Sequence, residues 1–66
     1  MSIAKVLEIT ATSNRSFEDA IQSGIAKVTE TVQNVQGAWI NEQNIVIKDN
    51  AIVEYRVNLK VTFVVE

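Results

Sequence analysis

Trp39 is the only tryptophan of the chain, and Arg56, Asn58 and Lys60 stand at alternate positions of a later segment. If both segments are extended and lie side by side, period two gathers these groups on one face, with Asn41 and Gln43 joining them from the strand of Trp39. A flat aromatic surface bordered by amides and a guanidinium is suited to a planar heterocycle: the ring stacks on the indole and its rim takes the hydrogen bonds. Two structural alternatives use the same residues. Trp39 could be buried where subunits meet, or Lys60 could cover it through a cation–π contact. A platform for single-stranded nucleic acid needs several bases stacked over a positive groove. Phe17 and Phe63 fall on other faces, so one tryptophan would have to serve alone.

Other chemistry is restricted by composition. The chain of 66 residues has no His, no Cys and no Pro, which removes the Ser-His-Asp triad, the Cys-His pair, disulfides and the usual zinc shell. No residue pair has the look of a tuned acid and base, and no enzyme is expected. The carboxylates Glu8, Glu42, Asp49 and Glu54 lack the spacing of a calcium loop and read as solvated or paired with Lys5, Arg56 and Lys60. Within one chain no metal site is expected; a cation at Asp49 and Asn50 would need several hairpin tips to converge in an oligomer. Six Lys and Arg against eight Asp and Glu leave a net charge of −2, without the basic excess that draws a protein to phosphate backbones. Nucleic acid is therefore not an expected partner. The start, Met1 to Lys5, lacks the apolar core of a leader, and no apolar run nears the ~20 residues of a membrane span. A cytoplasmic protein with no membrane partner is expected.

The elements that must position Trp39 and its companions follow from periodicity. Ile3 to Ala11 alternates, with Ile3, Leu7 and Ile9 on one side and Val6 and Glu8 on the other, as in a strand. Thr12 to Ser16 carries turn and capping side chains, and Ser16 with Asp19 has the form of a capping box. From there Phe17, Ile21, Ile25, Val28, Val32 and Val35 recur at intervals of three and four, opposite Glu18, Gln22, Lys27, Glu30 and Gln33. This spacing predicts an amphipathic helix of about 18 residues, roughly 27 Å long, ending before Gly37. Gly24 lies beside the apolar stripe, where close approach of a strand is the plainest reason for a glycine.

From Ala38 the period becomes two. A strand runs to Ile47, Lys48 enters a turn, and Asp49-Asn50 suits a two-residue hairpin because both residues tolerate positive φ. After the turn Tyr55, Val57, Leu59, Val61, Phe63 and Val65 alternate with Glu54, Arg56, Asn58, Lys60 and Thr62. A loop of Asp49 and Asn50 pairs Ile40 with Leu59, Ala38 with Val61, Trp39 with Lys60, Asn41 with Asn58 and Gln43 with Arg56. The fold class is α+β: one β-α-β-β domain over residues 1–66, an antiparallel three-stranded sheet with one helix on it.

Length then predicts assembly. A chain this short buries only about 60% of the surface its unfolded form exposes. The last strand, near 46 Å at ~3.3 Å per residue, outruns the helix and leaves apolar surface bare. Such an edge invites aggregation unless copies of the chain cover it in a closed, symmetric oligomer.

The segments Lys5-Val6-Leu7-Glu8, Thr12-Ser13, Ser16 to Ile21 and Glu54 to Phe63 resemble the dodecin family, in order and without obvious gaps over nearly the whole chain. The resemblance implies a hollow homododecamer with helices outside. Many members sequester flavins (riboflavin, FMN or FAD) without turning them over, stacking isoalloxazine rings between tryptophans of symmetry-related subunits while a glutamine binds the ring. This chain has Gly37 at the tryptophan position and Arg56 at the glutamine position. Trp39, two residues on, lies about 6.6 Å from Gly37, nearly two stacking distances. Two outcomes are open. Gly37 leaves room for Trp39 to lean over a planar ligand, with Arg56, Asn58 and Gln43 around it and Arg56 pairing to an anionic rim; or Trp39 fills the pocket, and the assembly is flavin-free, structural or storing an ion or small anion.

Overall fold

The computed structural model describes residues 3–65. The start of the chain at Met1 and Ser2, part of the segment read above for a leader, lies outside them. The order is β1 (Ile3–Ser13), α1 (Phe17–Thr29), β2 (Val35–Lys48) and β3 (Ala51–Val65). The sheet is antiparallel with β3 in the middle, flanked by β1 and β2, so both outer strands are edges. This is the β-α-β-β architecture expected from periodicity.

The central strand shows why the faces separate. Val57, Leu59 and Val61 are fully buried, and Ala20 and Val28 of α1 close over them. Leu7, Ile9 and Ala11 of β1, opposite Val61, Leu59 and Val57, and Phe17, Ile21 and Ile25 of α1 complete this layer. Gly24 allows the approach: a Cβ there would meet the Cβ of Ala11 at 2.9 Å and Ile9 Cδ1 at 3.4 Å.

The helix begins as expected. Ser16 is its N-cap, accepting a hydrogen bond from Asp19 N at 3.0 Å, and Ser13 Oγ donates to Asp19 Oδ2 at 2.6 Å. It ends earlier than expected, with 13 residues rather than about 18. The β-branched Thr29, Thr31 and Val32 favour helix poorly. Thr29 Oγ1 also donates to Ala26 O at 3.0 Å, the local competition that frays a last turn. Asn34, at φ 62°, then reverses the chain into β2. Val32 and Val35 still pack on the core, so their spacing reported burial without helical backbone.

The hairpin turn is Asp49-Asn50, at φ 51° and 63°. The expected pairs Ala38–Val61, Trp39–Lys60 and Ile40–Leu59 are present. Between Ile40 and Glu42 the register shifts, so that Glu42 stands opposite Asn58, Gln43 opposite Val57 and Asn44 opposite Arg56; a second shift between Val46 and Ile47 restores it near the tip. The extra residue on β2 is Asn41 and the compensating one on β3 is Val53. Such bulges are frequent on edge strands.

Helix cover is partial. At ~1.5 Å per residue α1 spans about 20 Å, whereas the molecule is 52 Å long. The core reaches β1 and β3, but its member from β2 is Val35 alone among the described residues. Ile40, Ile45, Ile47 and Ile52, on the helix side of the hairpin, remain 40–59% exposed.

Candidate functional site

The sheet face away from the helix carries the polar residues because the buried alternates of β3 claim the other side. Along β3 this face presents Glu54, Arg56, Asn58, Lys60 and Thr62. On β1, Thr12, Thr10, Glu8 and Val6 lie opposite Arg56, Asn58, Lys60 and Thr62; on β2, Asn44, Glu42, Trp39 and Gly37 do.

Three cross-strand rows build the site. In the first, Gly37 faces Thr62, whose Oγ1 donates to Gly37 O at 3.1 Å. A Cβ at Gly37 would touch just Thr62 Oγ1, at 3.8 Å, so the glycine leaves open space above the strand. In the second, Glu8, Lys60 and Trp39 stand abreast, and Trp39 is 60% exposed. The indole is therefore neither buried within the subunit nor covered by Lys60. In the third, Asn58 ties three strands: its Nδ2 donates to Thr10 Oγ1 at 3.1 Å, and its Oδ1 accepts from Asn41 Nδ2 at 2.9 Å. The bulge keeps Asn41 in reach of Asn58 although Glu42 takes the paired position.

Arg56 is engaged elsewhere. Its Nε donates to Glu54 Oε2 at 2.6 Å, an ion pair between neighbours on one face of β3. Four residues of strand, about 13 Å, separate it from Lys60 in the row of Trp39. One subunit thus brings Trp39 together with Gly37, Lys60 and Asn41, while Arg56 lies apart from that group.

Two sequence-based pairings are corrected: Asn41 was expected opposite Asn58, where Glu42 stands instead. Gln43 was expected opposite Arg56; it pairs with Val57 and so lies on the helix side, and Asn44 stands opposite Arg56 instead. The cause is the bulge at Asn41, since one added residue flips every later side chain to the other face until it is compensated. Thr10, missed as a partner of Asn58, was signalled by the alternation of β1, which puts it on the side of Val6 and Glu8.

No group of three or more acidic residues that could hold a metal occurs among the described residues, and no helix among them is long and apolar enough to cross a membrane. A groove of about 350 Å³ between α1 and β1, lined by Ile9, Ala11, Gly24, Lys27 and Val28, lies on the other side of the sheet from Trp39.

A sequence model of the family described as Dodecin matches residues 3–66. Among curated proteins, the calcium dodecin of Mycobacterium tuberculosis is 30% identical over 63 residues, 96% of this chain and 89% of that protein. Among solved structures, a mutant of the T. thermophilus dodecin matches with a TM-score of 0.94 at 29% identity, over 100% of this chain and 98% of that one. The structure of the M. tuberculosis calcium dodecin, described as calcium chelating with a calcium-binding site, matches with a TM-score of 0.83 at 28% identity, over 92% and 87%. With the β-α-β-β order, the central β3 and a family match across nearly its whole length, the chain belongs to the dodecin family.

Proposed function

We propose that this dodecin is a homododecameric, non-catalytic binding protein that sequesters a planar aromatic cofactor of the flavin class by stacking on Trp39. The observation that carries the reading is the 60% exposed indole beside the open space at Gly37. An aromatic of this size, set on a polar face and left uncovered by its own chain, is suited to a stacking partner. Gly37, Trp39 and Asn58 form the candidate site in one subunit, and Arg56 joins it from another. Self-assembly is supported by the bare isoleucines of the hairpin and by two free sheet edges.

The test is a titration of riboflavin, FMN and FAD with the assembled protein, followed by flavin fluorescence. Stacking on an indole quenches the emission. Full emission at tens of micromolar protein would remove the flavin reading.

A second reading is favoured by the resemblance to a calcium dodecin and by Gly37 and Arg56, which stand where the family resemblance implies a tryptophan and a glutamine. In it the shell is flavin-free and stores a cation or small anion, with ligands contributed by several copies. Colourless oligomer that retains calcium through gel filtration and does not respond to flavin supports it; protein that is yellow when purified from cells argues against it.

A further inference from the structure

The geometry points to Lys60 as the residue that sets the charge preference of the Trp39 site, selecting planar ligands with a phosphate or other anionic substituent over their uncharged counterparts. This rests on the stacking reading above and adds a specificity to it.

Lys60 occupies the central strand, directly opposite Trp39 on one side and Glu8 on the other. Its residue is half-buried between them, whereas Glu8 is exposed. The two ion pairs found among the described residues are Lys27–Glu30 and Arg56–Glu54, so no carboxylate of the described residues lies within 4 Å of the Lys60 ammonium. Of the two cations that β3 puts on this face, Arg56 is neutralised by Glu54 at 2.6 Å and lies about 13 Å along the strand. Among the described residues, Lys60 combines a position beside the indole with an ammonium that makes no ion pair. A stacked ring that carries an anionic tail meets that charge first. Because the ammonium is compact and its stem flexible, it can follow a tail of variable pose, which a rigid guanidinium fork does less readily. The contact is part-exposed, so its contribution is modest and sensitive to salt.

FMN and riboflavin share ring and ribityl chain and differ by the phosphate, so the ratio of their affinities isolates the charge term. Both are titrated against the intact assembly by fluorescence quenching, at low salt and again at high salt. The expected result is FMN tighter by about fivefold at low salt, the size of a screened ion pair, with the gap closing as salt rises. Lys60→Gln closes the gap at low salt and Lys60→Arg keeps it. Equal affinities in the wild type, or a gap that survives Lys60→Gln, overturn the assignment to Lys60. If Lys60→Gln does not assemble, the wild-type salt series decides, because a preference indifferent to salt is not electrostatic. Quenching of neither ligand is a separate outcome that removes the stacking reading itself.

Discussion

At residue scale, Gly24 shows how one absent methyl group sets the distance between two layers. Alanine would gain roughly 1 kcal/mol in helix propensity over glycine in a helix interior. Its Cβ, however, would sit 2.9 Å from the Cβ of Ala11, an atom with no freedom to move apart from its strand. Relieving that overlap means lifting α1 from β1, and overpacking of this kind costs typically 1–3 kcal/mol. The steric term wins, so Gly24→Ala is expected to destabilise the protein by about 1 kcal/mol, read as a lower midpoint in urea. Adding Ala11→Gly should recover much of the loss, because the two sites are in contact and their effects are not additive. A stabilised single variant would mean that the helix can rise freely. This glycine was legible in advance from its place beside the apolar stripe. The position of Gln43 was not, for a reason that belongs to the strands.

At the scale of elements, alternation identifies a strand wherever its two faces differ in polarity, and it loses register where they do not. Residues Asn41, Glu42, Gln43 and Asn44 are four polar side chains in a row on an edge strand. No hydrophobic residue among them marks the buried side, so a one-residue bulge passes unseen until Ile45 resumes the pattern opposite Tyr55. The end of α1 was hidden differently, because Val32 and Val35 keep a helical spacing while packing on the core from irregular chain and from the start of β2. The turn was legible because its chemistry is local. Asp49 and Asn50 both occupy the left-handed region, where residues with a Cβ carry a penalty that glycine does not. Asn50→Gly, which gives the turn the preferred glycine at its second position, is expected to stabilise by about 0.5 kcal/mol, since the larger entropy of the unfolded glycine offsets part of the relief. Thermal midpoints compared at equal protein concentration check this. A lower midpoint for the variant would show that the Asn50 side chain contributes a contact of its own.

At the scale of the whole molecule, the decisive mismatch is between a helix of about 20 Å and a sheet in a body 52 Å long. Ile40, Ile45 and Ile47 on β2 and Ile52 on β3 face the helix side beyond the helix's reach, and each keeps 40–59% of its surface in contact with solvent. Burying one such side chain fully is worth roughly 1.5–3 kcal/mol, and in a closed shell the same patch is buried once per copy. A lysine in the middle of this patch would have to carry its charge into a contact without a carboxylate, a cost that assembly repeats at each subunit. Ile45→Lys is therefore expected to abolish the oligomer at micromolar concentration, and sedimentation velocity would read small species in place of the shell. Gln22→Lys, on the exposed face of α1, is the matched control and should sediment as the wild type does. Since the isolated subunit is marginal at 66 residues, loss of the shell should lower the unfolding midpoint as well, and that midpoint should then cease to rise with protein concentration. An Ile45→Lys protein that sediments at the wild-type size would mean that copies meet along other surfaces, such as the free edge of β1 or the groove beside Gly24, and that the site at Trp39 is assembled differently from the way proposed.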